Sequence, residues 1–364
     1  MLKKTAAFAM AALFAAAAYG TFLPPKAEAI NLGGLAVKAA GAAAEQQKIN
    51  KQLDYYENDG RGEMLAALKQ QDGVNGDYNA NAMLARIMQR MSAGVAVSDP
   101  TINDKPYNYF VNNQTFFNAY CALGHNVSVN IGAFEFLQYN EQKLAAVIAH
   151  ELVHGQKQHP LKGAKKKMSV DFVLKTVGSE LGGVGNLGAQ VVAVHAKNAG
   201  ITKSSEWEAD NIAFTYMADS GYNVGAPAAV WQQVMEESSN SAKKNVLSDI
   251  LNPSTHPKDV DRRNNYGKKL TEYAKGKVSV AADSGTVLVN GKKFLVPAAA
   301  GGISSIQRAY FVAGNLAAVY HDGLAGQQAY VEGGTVKLAG HSILTPAAGD
   351  ASAADLAALL NQIK

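Results

Sequence analysis

The chain of 364 residues has a single cysteine, Cys121. One thiol cannot close an internal disulfide, and it cannot supply the several thiolates of a cysteine-built zinc site. Charge of one sign is also scarce. The formal net charge is +4, and removing residues 1–29, with three lysines and one glutamate, would leave +2. So small an excess gives no electrostatic case for nucleic-acid binding. The one dense basic run, "KGAKKK" at 162–167, reads as a solvated helix flank. Beyond residue 30 no run is apolar enough to span a bilayer. A hydrophobic content of 48% against 18% charged describes a folded protein, not a disordered one.

The start of the chain is different. Lys3 and Lys4 precede an apolar run at 6–23, and Ala27-Glu28-Ala29 places small residues around a cut after Ala29. This is the pattern of an export signal. An uncleaved anchor is the competing reading, because eighteen residues approach the length of a span. The run is mostly alanine, which inserts weakly, so cleavage is favoured. The mature chain is then expected in the periplasm or outside the cell.

Residues 30–98 carry apolar side chains at three- and four-residue steps, the period of helices, interrupted by the turn-forming "DGVNGDYNAN". "YNYFVNN" (107–113) and "NVSVNIGAF" (126–134) read as strands. "NEQKLAAVIAHELVHGQKQ" reads as a helix capped by Asn140, with Pro160 stopping it at or just before His159. A Gly-rich loop at 178–188 follows. "SSEWEADNIAFTYMADSG" is a further helix, with Ser204 or Ser205 as cap and Gly221 as stop. After about residue 275 the texture changes. "TVLVNGKKFLVP" is a hairpin about Asn290-Gly291, and "AYFVAGNLAAVYH" and "QAYVEGGTVKLAG" are read alike. A last helix closes the chain. No long internal repeat is evident. The expectation is an α+β protein: a mainly helical domain with a small β-sheet at 30–274, then a small β-rich domain at 275–364.

"AVIAHELVHGQKQHP" (146–160) holds three of the eight histidines. A helix turns 100° per residue, so His150 and His154 stand one turn apart on one face. Two imidazoles so spaced can grip one metal ion, while Glu151 beside them can act on a water. Composition alone predicts roughly 0.007 occurrences of His-Glu-x-x-His in this chain, which excludes chance as the ordinary explanation. The ion would activate the water and polarise a carbonyl. Glu151 would move the proton to the leaving amine.

Two histidines leave the ion short of a ligand. His159 is nearest, but the three-histidine pattern needs its third histidine six residues after the second, where Pro160 stands. His159 is therefore set aside. "SSEWEAD" (204–210) offers carboxylates on a separate helix. Glu206 and Asp210 share a face: Glu206 could reach the metal and Asp210 could accept an imidazole N–H. Glu208 points elsewhere and is the second choice. Geometry alone leaves the choice open.

At this point the chain resembles the HtpX and CaaX-prenyl-protease family of zinc metallopeptidases, of gluzincin type, in its soluble exported branch. "HELVH" (150–154), "EWEAD" (206–210) and "STHPKDVDRR" (254–263) carry the resemblance, in the family's order and spacing. It implies a zincin-like fold over roughly residues 75–270. It also implies one zinc ion on His150, His154 and Glu206, Glu151 as general base, and Asp210 orienting a ligand. His256 and Arg262 would stand near the metal, steadying the oxyanion. There are departures. Where the family often shows Pro-Gly-Gly before its substrate-side strand, this chain has Leu123, Gly124 and His125. The strand that follows, "NVSVNIGAF", is expected as an exposed edge for an extended substrate. Residues 275–364 match no part of that family core and are read as a candidate surface for an unidentified partner.

The implied function is an exported zinc endopeptidase acting on misfolded or damaged envelope proteins. Its alternative is a chaperone-like or binding module whose metal is structural or masked.

Overall fold

The computed structural model describes residues 32–168, 201–238 and 257–364. The N-terminal export pattern, the Gly-rich stretch at 178–188 and His256 lie outside the described residues. The chain divides into two units, 1–45 and 46–364. Among the described residues no helix is long and apolar enough to cross a membrane.

Three helices come first: α1 (Leu32–Glu57), α2 (Arg61–Asp72) and α3 (Tyr78–Ser98). Asp77 caps α3 by accepting the Ala80 N–H, and Met83, Leu84, Ile87, Met88, Met91 and Val95 bury one stripe of it. A small sheet follows, of β1 (Asn108–Asn112), β2 (Ala119–Ala122) and β3 (Asn126–Asn130), in the order β1-β3-β2. β3 runs parallel to β1 and antiparallel to β2. This corrects the expectation for "NVSVN": β3 is the buried central strand, and the edges are β1 and β2. Val127 and Val129 join the main core. The alternate positions form a buried polar ladder, in which Asn112 donates to Ser128 and to Asn130, each at 2.8 Å. With both β-sheet faces covered, period-two alternation separates two buried surfaces here, not inside from outside.

After a short helix α4 (Ile131–Phe136) comes α5 (Glu141–Gln156). Asn140 caps α5 through the Lys143 N–H, and Glu141 sits at its positive end. Leu144, Ile148 and Leu152 are wholly buried along it, each contributing about 1.5–3 kcal/mol of transfer free energy. Gly155 is required: an added Cβ would stand 2.2 Å from the Tyr107 hydroxyl, which donates to the Leu152 carbonyl. Pro160 does not simply stop the helix. Gln158 turns into the left-handed region at φ 54, and α6 (His159–Lys167) restarts with proline in its first turn.

Helix α7 (Lys203–Asp219) packs on α5 and α3. Its cap is Thr202, which accepts the Ser205 N–H, not Ser204 or Ser205 as expected. Helices α8 (Ala226–Ser238) and α9 (Asp259–Tyr273) pack against each other.

The C-terminal part holds β4 (Val278–Ala281), β5 (Thr286–Val289), β6 (Lys292–Leu295) and α10 (Ser305–His321). Then come β7 (Ala329–Glu332), β8 (Thr335–Leu338), β9 (His341–Leu344) and α11 (Ala353–Ile363). Two expectations fail here. "AYFVAGNLAAVYH" is helix α10, not a hairpin: Ser304 caps it and a helical stripe from Ala309 through Tyr310, Ala313, Leu316 and Ala317 to Tyr320 is buried. An internal repeat is also present. Both halves are antiparallel β-β-β meanders followed by a Ser-capped helix. They share a register shift at equivalent places, Val287/Leu288 and Val336/Lys337. "TVLVNGKKFLVPAA" and "TVKLAGHSILTPAA" agree at seven of fourteen positions. The halves interlock: α10 packs on β4, β5 and β9, and α11 on β7, β8 and β6. The fold is α+β, and buried residues of this part, from Val278 to Ile363, join the same core as Leu152 and Ala209.

Candidate metal centre

Helices α5 and α7 bring together side chains 52 to 60 positions apart in sequence. On α5, His150 and His154 present their Nε2 atoms to one point, 3.0 Å from each other. From α7, Glu206 places one oxygen 3.5 Å from His150 Nε2 and the other 3.5 Å from His154 Nε2. In a tetrahedral site with bonds of about 2.0–2.1 Å, neighbouring donors stand about 3.3 Å apart. A triangle of two imidazole nitrogens and a carboxylate at these separations fits one face of such a site, and the three residues could hold a metal ion. Glu206 is 2% exposed, so its charge is one that a protein interior tolerates only against cations or strong donors.

Glu151 lies beside this triangle. Its Oε2 accepts the Cys121 backbone N–H at 3.0 Å, so the outer edge of β2 holds the carboxylate in place. Burial pushes the Glu151 carboxyl up to about 7; charge on His150 opposes the rise and Glu206 adds to it. Cys121 itself is a buried thiol, and its backbone, not its sulfur, faces the site.

Behind the triangle is a charged cluster. Asp210 is fully buried and stands 3.0 Å from His150 Nδ1. It accepts from Arg262 Nε at 2.6 Å, from Arg262 Nη2, and from the Tyr266 hydroxyl at 2.9 Å. Burial opposes its charge, but the Arg262 guanidinium and the His150 hydrogen bond prevail and hold the carboxyl down at about 2. Arg262 also approaches Glu206 Oε2 at 3.4 Å and lies 3.8 Å over the Trp231 ring, within cation–π range. The guanidinium is thus turned toward Asp210 behind the triangle, and it also reaches Glu206 and the His150 Nδ1, the latter at 3.3 Å.

The two other candidates for third ligand, His159 and Glu208, are found together, away from the triangle. His159 Nδ1 meets His154 Nδ1 at 2.9 Å, and His159 Nε2 meets Glu208 Oε2 at 3.1 Å. The chain's other departure from the family pattern is a turn. Gly124 and His125 both have positive φ, 77 and 55, between β2 and β3. His125 takes the second glycine's left-handed place with its Nδ1 on the Lys105 carbonyl oxygen at 2.9 Å and its ring stacked on Tyr107.

Sequence reasoning missed Trp231, Tyr266 and the Cys121 amide. Tyr266 had a signal, standing four residues after Arg262 on α9. Trp231 had none, because its place beneath Arg262 depends on how α8 crosses α9.

Comparison with known proteins agrees with this geometry. The family model described as peptidase family M48 matches residues 79–268, just over half of the chain. A beta-barrel assembly-enhancing protease of Yersinia pestis is 24% identical over 142 residues, covering 36% of this chain and 29% of that protein. A beta-barrel assembly-enhancing protease of Escherichia coli is 22% identical over 168 residues, covering 44% of this chain and 34% of that protein. The chain thus spans about a third of the length of the relatives it matches. The family match runs from α3 into α9, and it contains both helices of the triangle and the arginine behind it. The chain belongs to peptidase family M48.

Proposed function

We propose that the chain is an exported zinc endopeptidase that cleaves misfolded or damaged proteins of the cell envelope. The observation that carries the catalytic part is the donor triangle of His150, His154 and Glu206 with Glu151 beside it. When bound there, zinc supplies a Lewis acid for the scissile carbonyl and an activated water. Glu151 takes the proton of that water and returns it to the leaving amine. Asp210 holds the Nδ1 proton of His150, which keeps Nε2 free for the metal.

Arg262 is assigned as a positioning residue instead of an oxyanion donor, because its short hydrogen bonds go to Asp210. His256 keeps its proposed place near the oxyanion on the resemblance alone. The outer edge of β2, beside α5, offers main-chain groups to an extended peptide. The substrate class rests on the family resemblance, alongside relatives named beta-barrel assembly-enhancing protease, and export rests on the pattern of residues 1–29. Residues 30–274 are proposed as the peptidase domain and 275–364 as a second domain that binds a partner.

The test is Glu151→Gln. The variant is expected to keep its zinc and to lose cleavage of an unfolded protein by at least a hundredfold, the low end of a general base's contribution of about 10²–10⁴. Undiminished cleavage would remove Glu151 from the mechanism.

A further inference from the structure

Each imidazole of the triangle has a second nitrogen whose proton decides whether Nε2 can bind a metal. For His150 that proton is held directly, by Asp210. For His154 no carboxylate among the described residues is in direct reach of Nδ1; what stands there is the Nδ1 of His159, at 2.9 Å. Two imidazole nitrogens can share a hydrogen bond only if one donates and the other accepts. If His154 is to offer a lone pair at Nε2, its proton must be on Nδ1, and His159 Nδ1 must be the acceptor. The proton of His159 must then sit on Nε2. That nitrogen faces Glu208 Oε2 at 3.1 Å, and a carboxylate can only accept. Every direction in the chain is therefore forced from its outer end.

We propose that Glu208 and His159 are a positioning relay that fixes the tautomer of His154 and so presents its Nε2 to the metal. Helix α7 then governs all three ligands from alternate residues. Glu206 is a ligand, Asp210 sets His150 directly, and Glu208 sets His154 through His159.

The backbone supplies the means. On an unbroken helix, residues five apart point about 140° away from each other, and His159 would not meet His154. The left-handed Gln158 and the restart at Pro160 turn the chain back, so that both rings are buried, His154 at 1% and His159 at 5% exposed. Their planes cross at 70° with centroids 5.0 Å apart, an arrangement for in-plane hydrogen bonding, not stacking. Glu208 is half exposed, so the relay ends at the surface.

This inference rests on the metalloprotease reading, and its test separates the two. Zinc affinity of the full chain is measured by chelator competition, and the imidazole ¹⁵N spectrum is recorded on metal-free protein. Glu206→Ala tests the metal site itself. Glu208→Ala, a change at a half-exposed position that the fold tolerates, is expected to weaken zinc binding about tenfold. That is the low end of the usual cost of losing a ligand's hydrogen-bond partner, because Glu208 acts through a second ring and is partly solvated. Glu208→Gln is expected to recover most of the loss, since its amide oxygen still accepts from His159. His159→Leu is expected to cost at least as much as Glu208→Ala, and adding Glu208→Ala to it is expected to cost nothing more. The ¹⁵N spectrum of wild type is expected to show His154 with its proton on Nδ1, and that of Glu208→Ala a mixture of tautomers. A merely structural Glu208 would not move this signature. Wild-type zinc affinity in both Glu208→Ala and His159→Leu, or a His154 tautomer indifferent to Glu208, would overturn the relay. If wild type took up no zinc, the metalloprotease reading would fall, and the metal-free spectrum would still decide the relay.

Discussion

Asp210→Asn isolates the charged cluster behind the site. The substitution keeps the shape of the side chain and removes its charge. It also turns an amide N–H₂ toward a site otherwise filled by donors: two N–H groups of Arg262, the Tyr266 hydroxyl and His150 Nδ1. Breaking a buried ion pair from one side costs about 3–5 kcal/mol. Arg262 keeps its contact with Trp231 and its approach to Glu206, so the low end applies. The proton equilibrium gives an independent figure. Holding the carboxyl at about 2 against an ordinary 3.8 is worth about 2.5 kcal/mol. This is smaller because it counts only the charge and not the misplaced amide. The expected loss is about 3 kcal/mol, a large share of the stability of a typical domain. Its pH dependence has a definite sign. A depressed carboxyl stabilises the fold fully above its unfolded value and loses that contribution as pH falls through about 2. Wild type should therefore lead the variant most widely near pH 5 to 6, and the margin should shrink below pH 4. It should also narrow above about pH 6.5, because burial opposes charge on His150 and the variant lacks the Asp210 hydrogen bond that raises it. Urea denaturation of the metal-free proteins at several pH values measures it. A loss under about 1 kcal/mol at pH 7, or a margin undiminished at pH 2, would refute the argument.

Glu206→Ala is expected to leave less than stoichiometric zinc after dialysis, read by elemental analysis, with the secondary structure retained in circular dichroism. Gly94→Ala is expected to cost about 1–3 kcal/mol by overpacking. An added Cβ would lie 2.6 Å from the backbone N and Cα of Ser220, so Ser220→Gly should not rescue the melting temperature. Lys143 is buried among Gln233 and Gln307, and burial lowers it to about 8 although Glu236 opposes. A lysine so depressed costs stability while charged and is relieved as pH rises from about 8 toward 10.5. Denaturation at pH 7.5 and 9.5 should therefore move in wild type's favour relative to Lys143→Met.

The site was legible where chemistry depends on spacing within one helix. His150, Glu151 and His154 follow from the 100° step, and α5 from its cap at Asn140 and its apolar stripe. Glu206 was legible only through resemblance, because helical period says nothing about which helices cross. The contact of His159 with His154 was not foreseen, for a local reason. Its place depends on one left-handed residue, Gln158, which no pattern in "HGQKQHP" announces. The hairpin read into 309–321 failed because valine, tyrosine and phenylalanine suit a strand. The burial of Ala309, Ala313 and Ala317 against other elements outweighed that preference. The repeat escaped notice because it occurs twice only. Half of its matched positions differ, and a helix stands between the copies.

Because α10 lies on a strand of the second meander and α11 on a strand of the first, neither half is sealed by its own residues. Each helix covers two strands of its own meander and one strand of the other, so the halves are stitched together. A chain ended near His321 would strip the cover from β6 and leave α10 without β9. The two copies must therefore become structured in one cooperative step. A nick in the loop at 322–328 would leave two pieces whose native surfaces are each other's missing interior.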